Sequence, residues 1–502
     1  MKKAKIKAYA EFKKGTVDQR LYGSFLEHMG RVIYSGIYEP GHPLADEQGF
    51  RMDVIKAVKD LGITSVRYPG GNFVSCYEWE DGVGPKDTRP RRLELAWKAI
   101  ESNQFGTNEY MEWLKKVNAS PMLAVNLGTR GLKEAVNYLE YCNFPEGTKY
   151  SNLRILHGIK QPYGVKIWCL GNEMDGEWQV GHKTAAEYGR LALETAKAMK
   201  IADPDIELVS CGSSLNTMDT FPEWEAETLN YTYDYVDYIS LHQYFAGQEK
   251  PVIEFLGQAD EMDQYIKTVI SVCDFVKAKK RSDKTLNISF DEWGVWAHDS
   301  NETVKECNAV KWQEAPAISE MIYTHQDALL FGGMLLALIK NADRVKMACQ
   351  SLLTNVSATI MTEKGGGLWL QPNYYPFSQA ARYAKGDVLN TVLECEYYEK
   401  GQKKIPYIDA VILENHAENE IILFAINRHP KETIELSANL YGFNIDKIIE
   451  SSVMESDDRL ATNQFDHNNI VPHDIDNCGI TTDGILVELK PLSWNMVRIH
   501  LQ

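Results

Sequence analysis

The feature that most constrains this chain is an alternation. Eight short apolar runs (Leu21–Glu27, Ile63–Tyr68, Pro121–Leu127, Val165–Leu170, Glu207–Cys211, Val236–His242, Leu286–Asp291 and Val345–Gln350) are separated by longer stretches of helical period. In the stretches "FRMDVIKAVKDLG", "KTAAEYGRLALETAKAMK" and "MDQYIKTVISVCDFVKAKK", apolar residues recur at steps of three and four, as on one face of a helix. Short runs without such periodicity fit buried parallel strands. A doubly wound open sheet would show a similar alternation, so the strand ends decide the fold class. Run after run finishes on polar groups: Glu27, Arg67 with Asn72 just beyond, Asn126, Asn172 and Glu173, His242 with Tyr244, then Asp291 and Glu292. A (β/α)8 TIM barrel gathers all such ends on one face, whereas an open sheet spreads them along an edge. The expected fold is therefore an α/β TIM barrel over residues 19–385.

Beyond residue 385 the texture changes to short β-rich segments between polar turns, such as "YIDAVILEN" and "EIILFAINRH". This predicts a C-terminal antiparallel β-sandwich over 386–502. The N-terminal "AKIKAYA" alternates with period two, so residues 1–18 supply a strand either to that sandwich or to an edge of the barrel.

Composition excludes several classes. The net charge of -17 opposes a nucleic-acid partner, which would need clustered Lys and Arg. No run approaches the roughly 18 apolar residues of a membrane helix. The basic start "MKKAKIKAYAEFKK" lacks the apolar core of a signal peptide, and a cytoplasmic protein is expected. The nine cysteines form no CxxC pair and lie mostly in apolar stretches, as free buried thiols do in a reducing compartment. Without HExxH or similar ligand spacing, no metal is implied.

Two glutamates stand out, Glu173 in "CLGNEMDG" and Glu292 in "ISFDEWGVW". Strands four and seven of a barrel face each other across its mouth, so these carboxylates can close on a bound substrate. Glycoside hydrolysis uses such a pair: about 5–5.5 Å apart in retaining enzymes and about 6.5–9.5 Å apart in inverting ones. At such a distance one carboxyl must keep its proton, and Arg67 can hold the other ionised. Trp97, Trp178, Trp293 and Trp296 near the strand ends offer flat apolar faces for a sugar.

Long ordered blocks then become recognisable. "YGSFLEHMGRVIYSGIYEPGHPLADEQGFR", "VRYPGGNFVSCYEWEDGVGP", "RPRRLELAWKAIESNQFGTNEY", "AVNLGTRG", "VKIWCLGNEMDGEWQVGHKTAAEYGR", "DYISLHQY" and "ISFDEWGVW" closely resemble glycoside hydrolase family 51, the intracellular α-L-arabinofuranosidases. The resemblance implies a retaining, exo-acting enzyme that removes terminal arabinofuranose from arabinose-containing oligosaccharides, with no metal or cofactor, commonly as a homo-oligomer and often a hexamer. It implies Glu173 as acid/base and Glu292 as nucleophile. It implies further that Asn172 contacts the sugar 2-hydroxyl, Glu27 and Asn72 hold other hydroxyls, and Trp97 and Trp296 wall the pocket. Arg67, His242 and Tyr244 would surround and orient the carboxylates. Three departures bear on the sugar: Leu352 stands where the family carries a sugar-contacting glutamine, and Gly294 and Ala297 replace larger groups. Gln350, two residues from Leu352, shares its strand face and could compensate. Cys76 lies where relatives vary. The alternative is the same retaining mechanism on another furanoside, a xyloside or a glucan-type substrate.

Overall fold

Eight parallel strands close into a barrel, in the order of the eight apolar runs: β2 (Gly23–Phe25), β3 (Ser65–Tyr68), β4 (Ser120–Val125), β5 (Ile167–Leu170), β6 (Glu207–Cys211), β7 (Tyr238–Phe245), β8 (Asn287–Val295) and β9 (Val345–Gln350), with β9 pairing back onto β2. A long strand, β1 (Lys2–Thr16), precedes them. The computed structural model describes residues 1–297, 300–401, 403–475 and 478–502.

The intervening segments are helical, and local chemistry sets their ends. The helix Met52–Leu61 buries Val54, Ile55, Ala57, Val58 and Leu61 along one stripe and stops at Gly62, which takes a left-handed conformation (φ 86°) and returns its N–H to the last turn. The helix Ala185–Ala202 starts at a Thr184 capping box closed by Glu187. Among the described residues no helix is long and apolar enough to cross a membrane.

β2 and β8 depart from their sequence boundaries in ways that bear on the site. β2 is only three residues long, because Gln19–Tyr22 forms a 3-10 turn capped by Asp18; Glu27 therefore sits beyond the strand. β8 runs on past Asp291 to Val295, because its end pairs with an equally extended β7, Gly294 beside Tyr244 and Val295 beside Phe245. Glu292 thus lies inside β8 and not at its end. The register of β8 is irregular on both sides here, between Ser289 and Glu292 against β7 and between Phe290 and Trp293 against β9.

The C-terminal region forms a ten-stranded sheet in the order His473–Asp474, Ile445–Met454, Ser493–Leu501, Glu420–Asn427, Ile408–Asn415, Asp387–Glu394, β1, Ile434–Tyr441, Gly484–Leu489, Cys478–Thr481. β1 lies inside it, antiparallel to Asp387–Glu394 and parallel to Ile434–Tyr441; the other pairings are antiparallel. Alternate residues from β1 to the last strand (Ile6, Ile412, Leu423, Leu436, Val487, Ile499) meet in one cluster, so the sheet folds over its own core. Its other face joins the barrel's core through Val411, Leu413, Phe424 and Trp494. The run "EIILFAIN" is apolar without alternation because both its faces are covered.

Between barrel and sheet lies the helix His325–Lys340, buried at every residue from 325 to 339. A helix apolar all round needs neighbours all round. Gly332 and Gly333 admit them: a Cβ would stand 2.8 Å from the Trp494 ring at the first and 2.8 Å from Ala259 at the second.

Candidate active site

The polar strand ends converge on a cleft of about 760 Å³ at the C-terminal mouth of the barrel. That volume lies within the roughly 300–1,000 Å³ of small-ligand sites. Glu27, Asn72, Trp97, Glu173, Tyr244, Glu292 and Trp296 line it. Arg67, His242 and Asn172 stand one layer deeper, each 3% exposed or less, where they touch the lining groups. Asn126 belongs to neither set; its side chain caps the following turn by accepting from the backbone of Gly128 and Thr129. Trp293 is core, packed on Phe331.

Glu292 is held at both oxygens. Arg67 Nη1 donates to Oε1 at 2.6 Å and the Tyr244 hydroxyl to Oε2 at 2.8 Å. The Arg67 guanidinium lies over the Phe25 ring and gives a second bond to Asn172 Oδ1 at 2.6 Å. Asn172 Nδ2 reaches Asn72 Oδ1 and Gln179 Oε1, each at 3.3 Å.

Glu173 follows β5 through Gly171 (φ 92°) and itself adopts φ 44°, a left-handed backbone that a non-glycine residue rarely takes. Its carboxylate is pinned from two sides, Oε1 by His242 Nδ1 at 3.0 Å and Oε2 by the indole N–H of Trp178 at 2.6 Å. Burial raises its pKa, and the Glu292 charge adds to that against the opposing bond from His242. For His242 burial opposes the charge, but Glu292, Asp291 and Glu173 together push its pKa up to about 10. It is an imidazolium, donating from Nδ1 to Glu173 and from Nε2 to Asp291 Oδ1 at 3.1 Å.

Glu27 Oε1 accepts from the Phe73 N–H at 2.8 Å and from the Trp97 indole at 3.1 Å. Burial, then the Glu292 charge, push its pKa up to about 8, so at neutral pH it carries a proton. The Gly70-Gly71 turn brings the chain past both acids: a Cβ on Gly71 would lie 3.1 Å from Glu292 Oε1 and 3.2 Å from Glu27 Oε2. Trp296 meets Tyr244 edge-to-face at 5.3 Å.

Glu173, His242 and Glu292 each place one ligand-type atom within 4.8 Å of the others. Both His242 nitrogens already face carboxylates and the ring is cationic, so this trio is an ion-pair network rather than a cation cage.

Two family models match the chain, the α-L-arabinofuranosidase 1 domain over residues 57–267 and the α-L-arabinofuranosidase C-terminal domain over residues 291–493. An intracellular exo-α-(1→5)-L-arabinofuranosidase of Acetivibrio thermocellus is 51% identical, over 99% of this chain and 100% of that one. The chain belongs to the α-L-arabinofuranosidases of glycoside hydrolase family 51. It is therefore a glycoside hydrolase. A second relative, intracellular exo-α-(1→5)-L-arabinofuranosidase 1 of Bacillus subtilis, is 50% identical with both chains fully covered. The solved family 51 α-L-arabinofuranosidase of Bifidobacterium longum superposes with a TM-score of 0.93 at 38% identity, again over both whole chains.

Within this arabinofuranosidase the departures separate. Leu352 and Ala297 line the cleft. Gln350 does not reach it: fully buried, its Nε2 donates to Ser24 Oγ at 2.9 Å beneath the strand. Gly294 faces the Ser351 carbonyl, which a Cβ would meet at 3.1 Å. Cys76 lines a separate cavity of about 270 Å³. Sequence reasoning passed over Ser351, 2.6 Å from the Tyr244 oxygen, the indole of Trp178 as a donor to Glu173, and Asp291. Trp178 carried a signal, five residues after Glu173 in the same loop.

Proposed function

We propose that this arabinofuranosidase is a retaining, exo-acting enzyme that releases terminal arabinofuranosyl residues from arabino-oligosaccharides by double displacement. It acts inside the cell as a homo-oligomer, with the chain divided into residues 1–18, 19–385 and 386–502. The observation that carries the mechanism is the closeness of the two acids: an oxygen of Glu173 lies within 4.8 Å of one of Glu292. That supports the about 5–5.5 Å of a retaining pair over the about 6.5–9.5 Å of an inverting one.

The surroundings of the two acids support these roles. Glu292, beside Arg67 and Tyr244, attacks the anomeric carbon; the bond to the leaving oxygen breaks, and its electron pair takes the proton of Glu173, whose proton affinity burial and the Glu292 charge raise. Glu173, now a carboxylate, removes a proton from water, whose oxygen attacks the same carbon and returns Glu292 to its ionised state. Protonated Glu27 donates to a sugar hydroxyl beside Asn72, and Asn172 turns its Nδ2 toward the 2-hydroxyl. Trp97 and Trp296 pack on the ring faces.

Replacing Glu292 by Ala should lower turnover of an aryl α-L-arabinofuranoside by at least roughly 10³-fold, and azide should restore it with arabinosyl azide as product. Unimpaired hydrolysis by that variant contradicts the assignment. A second reading keeps the mechanism and changes the sugar, since Leu352 and Ala297 present apolar surface to the cleft. A panel of aryl furanosides, xylosides and glucosides separates the two, and lack of preference for the arabinofuranoside favours the second.

A further inference from the structure

We propose that Asp291 is a positioning residue that fixes His242 as a double donor and supplies the constant negative charge balancing the site at both steps of the reaction. The proposal rests on the roles given above to Glu173 and Glu292. In a regular strand, neighbours point to opposite faces. The register irregularity in β8 instead turns Asp291 and Glu292 to the same network, for both meet Arg67 and His242.

Asp291 is fully buried. Its Oδ1 accepts from His242 Nε2 at 3.1 Å and from the Ser240 hydroxyl; its Oδ2 lies 3.8 Å from Arg67 Nε and 3.7 Å from Cys169 Sγ. The two cations it faces are the ones that touch the catalytic carboxylates, Arg67 at Glu292 and His242 at Glu173. Asp291 itself stays off the cleft surface.

The charges close in both states. Before reaction, Arg67 and His242 are positive, Asp291 and Glu292 negative and Glu173 protonated, summing to zero. In the glycosyl-enzyme Glu292 is a neutral ester and Glu173 a carboxylate, and the sum is again zero. Without Asp291 both states would bury an uncompensated positive charge, a costly arrangement at low dielectric. The remaining titratable neighbours do not take its place. Cys169, Cys211 and Cys349 approach Asp291 from β5, β6 and β9, and burial pushes all three thiols up, keeping them neutral. Asp175 lies on the Glu173 loop, His242 is the least of the influences on it, and its two oxygens bond the Ser214 N–H and hydroxyl and not the two cations. Asp291 is held below the usual carboxylate range: burial would raise it, and Arg67 and His242 outweigh that.

Asp291→Asn keeps one acceptor oxygen for His242, replaces the other by an NH2 group and removes the charge. Losing a buried negative charge releases the site's protons earlier, so the alkaline limb of kcat/KM on an aryl arabinofuranoside should move to lower pH by roughly one unit or more. A uniform loss of rate with the limb unmoved would mean a merely structural role and overturn the proposal. An independent arm is nitrogen NMR of the ring of His242, assigned among the 12 histidines by difference from His242→Gln. In the unaltered enzyme the ring should stay doubly protonated through pH 8, and in Asp291→Asn lose its proton at lower pH. A neutral His242 at pH 7 in the unaltered enzyme also overturns the proposal, even if the variant fails to fold. The NMR arm needs no turnover, so failure of the catalytic assignment shows separately, as an active Glu292→Ala enzyme.

Discussion

At the scale of single residues the site is a set of acids tuned by their neighbours. Glu27 is the clearest case, since its pKa moves from 4.5 to about 8. Below the ordinary value both folded and unfolded chains hold the proton. Between the two values only the folded chain does, so this residue's contribution to stability falls as pH rises toward 8. Glu27→Gln carries no such proton. In urea denaturation its stability relative to the parent should rise by a few kcal/mol from pH 5 to pH 8.5, since a tenfold change in proton affinity is worth about 1.4 kcal/mol; a constant difference would contradict the assignment. The types and spacing of Glu173, Glu292, Arg67 and His242 were legible in the sequence, because each sits at the end of an apolar run. Whether Gln350 could compensate for Leu352 was not, because sharing a strand face with Leu352 does not tell how deep a side chain lies, and Gln350 is spent on Ser24.

At the scale of elements, function lies in how strands end. Eight apolar runs predict eight strands, yet β2 and β8 show where pattern fails. A 3-10 turn takes the first residues of one, and pairing with a longer β7 extends the other. The irregular register of β8 was invisible in the sequence, where Asp291 showed only as a polar strand end beside Glu292. The "YPGGN" turn shows the converse, a motif whose reason becomes steric. With a methyl 3.1 Å from Glu292 Oε1 and 3.2 Å from Glu27 Oε2, Gly71→Ala should displace both acids. Small misplacements of reacting groups cost on the order of 10²-fold. The variant should lose about that in kcat/KM with its melting temperature changed by only a few degrees, and wild-type kinetics would show that the turn tolerates the group.

At the scale of the whole molecule, a barrel and a folded-over sheet share apolar surface across the helix His325–Lys340. The change of texture near residue 385 announced a second β-rich part. That the helix before it would be apolar all round could be seen but not explained, since its partners on the sheet side, Trp494 among them, lie far along the chain. β1 was open between two sheets in the sequence because period-two alternation does not name a neighbour; its pairing inside the ten-stranded sheet resolves this. What the assembly delivers is two carboxyl groups with an oxygen of each within 4.8 Å of the other, the spacing on which the proposed double displacement rests. The most direct test uses Glu173→Ala with an aryl arabinofuranoside bearing an activated leaving group, which needs no acid to enter but requires the base to leave. Intact and peptide mass spectrometry should find one anhydropentose bound to the enzyme, on the peptide that carries Glu292. No adduct, or an adduct on a different carboxylate, would contradict the account.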